Sequence, residues 1–406
     1  MIRWVWLLLL LPVAGLSQVC RSSCPDALRH SNDEIIYNWQ NKHRTSLTAR
    51  TPVTVNVVFH IVYNTVDENI SDEQILSQLD ILNEDFRLLI ENQSLVTYPD
   101  FAAVMADMEI NFQLATTDPN GLPTTGITRR LTNIPKIALK LSDGRRRICY
   151  TALGGTDAWC TDHYLNVWVG KFDEGFFAEA SFPNQDTPEE DGIRIDPYRL
   201  GSTGTVIPPY HLGRTLTHEL GHYFNLEHLW GSGPDDVSCT EDDGIADTPQ
   251  QAFSYVGECP ANFNLQSCGS IDQFPNFLNY TDDACMAMFT LGQKEKVWAT
   301  INALRPGLKQ PASCGMVATE DLIDQQISIQ YTPNPARNQV EVLIQSSDIF
   351  EVNLQIFSLE GRKYHTFSFS SKELFRFDSS VLPAGIYFLK FNFSGFSVFR
   401  KLIILS

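Results

Sequence analysis

The chain has 406 residues, more than one typical domain needs, and its 43% hydrophobic and 19% charged residues exclude a chain disordered as a whole. Lys and Arg total 30 against 48 Asp and Glu, a net charge of −18. Such a surface repels phosphates and argues against nucleic acid as a partner, while it suits an extracellular protein, calcium binding or basic substrates.

The first residues set the compartment. Met1-Ile2-Arg3 carries positive charge, residues 4–14 are a short apolar run, and Gly15-Leu16-Ser17 supplies small residues for a signal peptidase. That run is too short to span a bilayer, and no later one approaches the roughly 20 apolar residues a span needs. The expectation is an exported protein with no stable transmembrane segment. Export makes the nine cysteines readable as disulfides. Cys239, Cys259, Cys268 and Cys285 crowd into one stretch with no C-x-x-C pair, which argues against a cysteine zinc site. They read as two staples, and spacing alone leaves three pairings open. Cys149 and Cys160 are close enough in sequence for a third bridge, and the odd total leaves at least one thiol over.

Residues 18–50 are polar without a strand pattern and read as a pro-segment or linker rather than a core element. Residues 54–63 (TVNVVFHIVY) are β-branched and almost wholly apolar, predicting a central strand buried on both faces. Ser71 and Gln74 have the spacing of a capping box, and Ile75, Leu79, Leu82 and Phe86 then fall on one helical face. Residues 110–115 predict another strand, closed by the turn Asp118-Pro119-Asn120-Gly121. Residues 165–169 predict a further one, and residues 192–198 read as an edge strand ended by Pro197. Strands and a helix ahead of a long helix predict an α/β sheet domain. From about Gln326 only short strand-like runs remain, split by Asn-Pro, Glu-Gly and Ala-Gly turns, which predicts a small all-β sandwich. The expected order is a signal peptide over 1–17, a pro-segment over 18–50, a catalytic domain over 51–318 and the sandwich over 326–406.

The chemistry concentrates in residues 215–230, TLTHELGHYFNLEHLW. His218 and His222 are four apart, so on a helix their imidazoles point the same way, as two nitrogen ligands of one zinc require. Glu219, beside the metal but not on it, is placed to act as general base on water acidified by the metal. His228 is six residues beyond His222, so the chain must turn sharply to bring it back. Asn225 stands at that turn, and Asn tolerates a left-handed conformation better than any other non-glycine residue. Three protein ligands leave a fourth position open, which marks a catalytic rather than a structural site. Asp242, Asp243 and Asp247 with Thr248 form an oxygen-rich loop able to hold calcium; a merely acidic turn is the alternative.

Residues 218–228 match the extended zinc signature HExxHxxGxxH of metzincins, with Asn225 where glycine is usual. With the flanks LGRTLT at 212–217 and NYTDDAC at 279–285, the stretch from about residue 53 to 304 resembles the pappalysin family of metalloproteases, in particular its bacterial members. The resemblance implies a metzincin-type zincin fold, a twisted mixed sheet with an active-site helix, and zinc-dependent endopeptidase activity on proteins or peptides. It implies a Met-turn beneath the zinc, followed two residues later by a tyrosine that helps bind the tetrahedral intermediate. Phe277-Leu278-Asn279-Tyr280 is the matching stretch, with Leu278 in the methionine's place, a near-isosteric apolar replacement. The resemblance also puts Asp283 at the S1′ pocket, favouring Arg or Lys at P1′, and pairs Cys239 with Cys268 and Cys259 with Cys285. The substrate is then expected to lie extended along the edge strand near residues 192–196. Some family members keep their zymogens latent through a pro-segment cysteine; Cys24 offers one, though a Cys20–Cys24 disulfide is the simpler reading.

The tail carries a second resemblance. Tyr331-Thr332-Pro333-Asn334-Pro335, Leu359-Glu360-Gly361-Arg362, Leu382-Pro383-Ala384-Gly385-Ile386-Tyr387 and Lys401-Leu402-Ile403 make residues 326–406 similar to the C-terminal sorting domain of the type IX secretion system of Bacteroidetes. This implies the type IX machinery as a partner, passage through the outer membrane, and an enzyme released or held at the cell surface.

Overall fold

The computed structural model describes residues 26–42, 52–89, 96–231, 239–257, 259–310, 327–346, 351–358, 362–371, 374–393 and 396–405. The signal segment, Cys20 and Cys24 lie outside the described residues. The chain divides into two compact units, the division falling between Ala312 and Ser313.

The first unit opens with helix α1 (Asp26–Lys42), where the sequence displays only polarity. Its inner face is itself mostly polar, with Asn32 and Ile36 buried and Arg29 paired with Glu227. Strand β1 (Val53–Tyr63) is the spine of the sheet, eight consecutive residues being buried. Helix α2 (Asp72–Phe86) follows, its N-terminus capped by the Ser71 side chain accepting from the Gln74 N–H. The Gln74 side chain does not close the box but reaches the carbonyls of Pro197 and Leu200, holding the loop that leads towards the active-site helix. Ile75, Leu82 and Phe86 are buried as their spacing predicts.

After the short helix α3 (Pro99–Ala102), strand β2 (Ile110–Leu114) pairs in parallel with residues 53–57 of β1, and β3 (Ile127–Leu131) with residues 59–63 on the same side. On the other side β1 pairs with β4 (Leu165–Val169). Strand β5 (Ala178–Ala180) is antiparallel to β6 (Ile193–Ile195), which is parallel to β4, giving the order β2-β1-β4-β6-β5. The edge strand expected at residues 192–198 is therefore corrected: β6 is interior and wholly buried, and the edge is β5. Pro197 misleads because it stands beyond the ladder, at the start of a 3₁₀ turn, where its missing N–H takes nothing from the sheet.

Around β5 and β6, Arg146 and Arg194 are buried among Glu179, Asp186 and Glu190. Arg146 bonds Glu179 at 2.6 Å, and Asp186 and Glu190 at 2.8 Å each. Burial alone would raise the Glu179 carboxyl, but the charges of Arg194 and Arg146 outweigh it and bring its pKa down to about 2. The neighbouring Cys149 is a buried free thiol, its pKa pushed up by burial, while Cys160 is disulfide-bonded. The expected Cys149–Cys160 bridge is thus corrected: Cys149 packs into a cluster with Ile137, Ile148 and Trp168. The other two pairings are present, Cys239–Cys268 and Cys259–Cys285.

Helix α4 (Arg214–Tyr223) lies under the sheet, all ten residues buried. A two-stranded ribbon, β7 (Gln266–Ser267) with β8 (Ser270–Ile271), and helix α5 (Leu291–Ala303) complete the unit. Here Thr290 and Gln293 form the full reciprocal capping box.

The second unit is all β, as the turn spacing predicts. Its strands are β9 (Ile327–Thr332), β10 (Gln339–Ser346), β11 (Glu351–Ser358), β12 (Lys363–Ser370), β13 (Phe375–Asp378), β14 (Gly385–Phe393) and β15 (Phe396–Ile404). They form two antiparallel sheets, β13-β10-β9 and β12-β11-β14-β15. Val340, Val342 and Ile344 of one sheet share a core with Leu354, Ile356, Leu389 and Phe391 of the other, the arrangement of a small sandwich.

Candidate active site

The site is built on α4. Its entry is fixed by Gly213 at φ 78°, and by Asp283, whose Oδ2 accepts from the N–H of Leu212 at 2.7 Å. From α2, Asp85 accepts from the Thr217 hydroxyl at 2.6 Å and pairs with Arg214 at 3.3 Å. The helix ends in a left-handed cap: Asn225 at φ 70°, its N–H on His222 O, and the Leu226 N–H reaching back to Gly221 O at 2.9 Å. Asn225 thus makes the turn at the position where the sequence demands one.

That geometry brings three imidazoles together. The Nε2 atoms of His218 and His222 are 3.0 Å apart, and that of His228 lies 3.1 Å from His222 and 3.3 Å from His218. Among the described residues this is the one group of three or more His, Cys, Asp or Glu side chains whose ligand atoms all lie within 4.8 Å of one another, close enough to share a metal ion. His218 Nδ1 donates to the Phe277 carbonyl at 2.7 Å, and His222 Nδ1 to the Leu226 carbonyl at 2.8 Å. A carbonyl can only accept, so both protons sit on Nδ1 and both Nε2 atoms present lone pairs. Burial drives the pKa of His218 down to about 4 and those of His222 and His228 well below the ordinary value, so charged rings are disfavoured. Lone pairs facing one another at this distance repel unless a cation lies between them. Ligands at about 2.0–2.1 Å in a tetrahedral array are about 3.3 Å apart, and the donor set fits zinc.

Glu219 is fully buried beside this cluster. The Tyr280 ring lies 4.8 Å from that of His228 and 5.4 Å from that of His218. Leu278 is buried in the tight turn that also supplies the Phe277 carbonyl, and its side chain packs on Gly221. Asp283 is buried in a 3₁₀ turn tethered by Cys285; burial raises its pKa to about 6 against the N–H bonds it accepts. Its Oδ1 has no hydrogen-bond partner among the described residues.

The acidic loop is less convergent. Asp242 accepts from Gly244 N–H, Asp243 from Ile245 N–H and the Thr248 hydroxyl, and Asp247 from Thr290 and Gly292 at the head of α5. Two aromatic neighbours escape the sequence reading: Trp230 stacks on His228 at 4.6 Å, and Phe182 leans on His222 at 5.2 Å. Asp85 escapes it too, 133 residues upstream of His218 with no local signal to join them. Only the closeness of Trp230 to His228 in sequence could have drawn notice.

Residues 155–302 match the family described as pregnancy-associated plasma protein-A. An extracellular metalloprotease of Colletotrichum graminicola is 30% identical over 268 residues, covering 64% of this chain and 80% of that protein. Mature mirolysin of Tannerella forsythia, solved with a cleaved peptide, is 38% identical, covers 64% of this chain and 97% of its own, and superposes with a TM-score of 0.60. The chain belongs to the pappalysin family of metzincin metalloendopeptidases. A promirolysin variant from the same organism is also similar, at 34% identity and a TM-score of 0.64, and covers 72% of this pappalysin chain. The family implies a zinc cofactor and peptide substrates. Residues 331–405 match the secretion system C-terminal sorting domain, which addresses the protease to type IX export. No helix among the described residues is long and apolar enough to cross a membrane.

Proposed function

We propose that this pappalysin is an exported endopeptidase in which His218, His222 and His228 hold one zinc ion, Glu219 is the general base, and Arg or Lys is preferred at P1′. The observation that carries the reading is the meeting of three Nε2 atoms within 3.3 Å, two of them with the opposite nitrogen pinned to a carbonyl. Zinc bound there supplies Lewis acidity, acidifying water and polarising a carbonyl oxygen. The chain's own residues do the rest. Glu219 takes the proton of the attacking water and returns it to the leaving amine. Tyr280 turns its hydroxyl to the developing oxyanion, adding a donor where charge appears. Strand β5 (Ala178–Ala180), the last in the sheet order, aligns the substrate main chain in place of the strand expected from sequence.

Asp283 supports the P1′ preference because one buried oxygen is left over after its N–H bonds are made, and a cationic side chain would satisfy it. Calcium in the loop bearing Asp242, Asp243, Asp247 and Thr248 rests on Asp243 alone. Its Oδ2 is buried with no hydrogen-bond partner among the described residues, and burial lifts its pKa to about 7. Residues 1–17 are proposed to be removed on export and 18–50 on activation, leaving 51–318 as the protease and 326–406 as the address. The larger share of the chain matched by promirolysin than by mature mirolysin, 72% against 64%, supports a pro-segment.

The test is hydrolysis of quenched peptides by wild type and by Glu219→Ala, with and without a zinc chelator. Cleavage before Arg or Lys, lost in the variant and on chelation, is expected. A zinc-loaded protein, freed of residues 18–50, that cleaves no peptide would instead be a silent binding homologue.

A further inference from the structure

The three histidines are not held alike. His218 and His222 each fix their ring by an Nδ1 hydrogen bond to a main-chain carbonyl, at 2.7 and 2.8 Å. Among the described residues no carbonyl or carboxylate accepts from His228 Nδ1, and its only polar contacts are through Nε2 to the other two rings. Yet His228 departs from the helix and hangs on an irregular stretch, where a ring most needs orienting.

Trp230 packs on the face of this ring instead. Its ring lies parallel to that of His228, 4.6 Å away with only 7° between the planes, and it is itself 6% exposed. The Gly231 N–H donates to His228 O at 2.8 Å, closing a turn over residues 228–231 that folds the Trp230 ring back on His228. Gly231 sits at φ 85°, and a Cβ there would come within 2.9 Å of Glu241 Cβ, so the turn is built for glycine. The indole also meets Tyr280 edge-on at 5.1 Å, and Tyr280 touches His228 at 4.8 Å. The three rings form a closed wedge around the last histidine.

We propose that Trp230 is the positioning residue for His228: aromatic stacking does for this ring what a carbonyl does for the other two. The inference rests on the reading that the three histidines hold zinc. A stack fixes the plane of an imidazole but leaves its Nδ1 without an acceptor, so His228 is the ligand whose orientation depends on ring packing rather than on a main-chain carbonyl. Outer partners of metal-bound histidines typically carry about ten- to a hundredfold in metal affinity.

The experiment uses the full chain, stripped of metal, as wild type, Trp230→Leu and Trp230→Phe. Zinc affinity is read by competition with a chromophoric chelator, and ligand geometry by the visible spectrum of bound Co2+. Trp230→Leu should bind zinc about ten- to a hundredfold more weakly with a displaced cobalt spectrum, and Trp230→Phe, which keeps a smaller stack, about threefold more weakly. Thermal unfolding of the metal-free proteins separates this from general destabilisation. Trp230→Leu binding zinc within twofold of wild type, with the same spectrum, overturns the proposal. Should that variant fail to fold, Trp230→Phe decides, and an affinity equal to wild type overturns it. A wild type that takes up no zinc overturns the zinc reading itself; variants that merely match a zinc-binding wild type overturn only the role of Trp230.

Discussion

Oδ2 of Asp283 accepts the main-chain N–H of Leu212 at 2.7 Å, two residues before helix α4 begins. The carboxyl is thereby tied to the positive end of the active-site helix, yet burial raises its pKa to about 6. A raised acid is neutral below that value and charged above it. Preference for Arg over Met at P1′, read as the ratio of kcat/KM on paired peptides, should therefore climb with pH about a midpoint near 6. Asp283→Asn should flatten the profile and lower the Arg peptide's kcat/KM by more than about tenfold. A preference unchanged from pH 5 to 8 would remove Asp283 from the pocket.

A Cβ on Gly221 would lie 2.9 Å from Leu278 Cδ2 and 3.2 Å from Cδ1, so helix and floor are in full contact. Gly221→Ala should cost about 1–3 kcal/mol and reduce activity, because the helix carrying His218 and His222 must lift. Leu278→Met should cost less than about 1.5 kcal/mol and keep activity, the flexible thioether fitting the same space. Thermal unfolding and peptide turnover check both; an inactive Leu278→Met would mean that leucine is required here.

Asn225 holds φ 70°, and its Nδ2 is buried without a hydrogen-bond partner among the described residues. Asn225→Gly should be neutral or raise the melting temperature, since glycine takes this conformation freely and removes the buried amide. Asn225→Ala should cost about 1 kcal/mol, or about 2–4 °C in Tm. Differential scanning calorimetry would read the order Gly, Asn, Ala; the reverse order would refute the account of the turn.

Glu179 has its pKa held at about 2 by Arg194 and Arg146 against an ordinary 4.5. The stability it contributes is full above pH 4.5 and lost as pH falls towards 2. Arg146→Ala should destabilise by about 3–5 kcal/mol, since it leaves buried carboxylates short of a cation, and should flatten the acid limb of a Tm-versus-pH curve. An acid limb as steep as that of wild type would mean Arg194 suffices.

The histidine cluster was legible because helical spacing is local: two histidines four apart and a turn-forming asparagine determine the geometry wherever the helix packs. The buried run of β1 and the serine cap of α2 were legible for the same reason. Strand β5 was not, being three residues, Ala-Glu-Ala, whose state is decided by pairing with β6 rather than by any pattern of its own. Cys149 misled because nearness in sequence says nothing about the hydrophobic cluster that claims it. Asp85 meets the helix through tertiary contact and Trp230 meets His228 through a local turn, and no periodicity encodes either.

The contacts of α1 have a consequence for activation. Asn32 donates to Pro183 O at 2.9 Å, just past β5, Arg29 pairs with Glu227 at 3.2 Å, beside His228, and Asp33 meets Lys296 at 3.5 Å. The Arg29 and Asp33 side chains stay partly exposed, so their ion pairs hold α1 only modestly and the tether adds to that grip. While the chain is intact, α1 faces its seat at an effective concentration of order millimolar. A single cut between Lys42 and Val53 turns that seat into a bimolecular one, and dilution outside the cell would empty it. Onset of activity would then be a matter of mass action, needing no rearrangement of the protease and more complete the more dilute the surroundings.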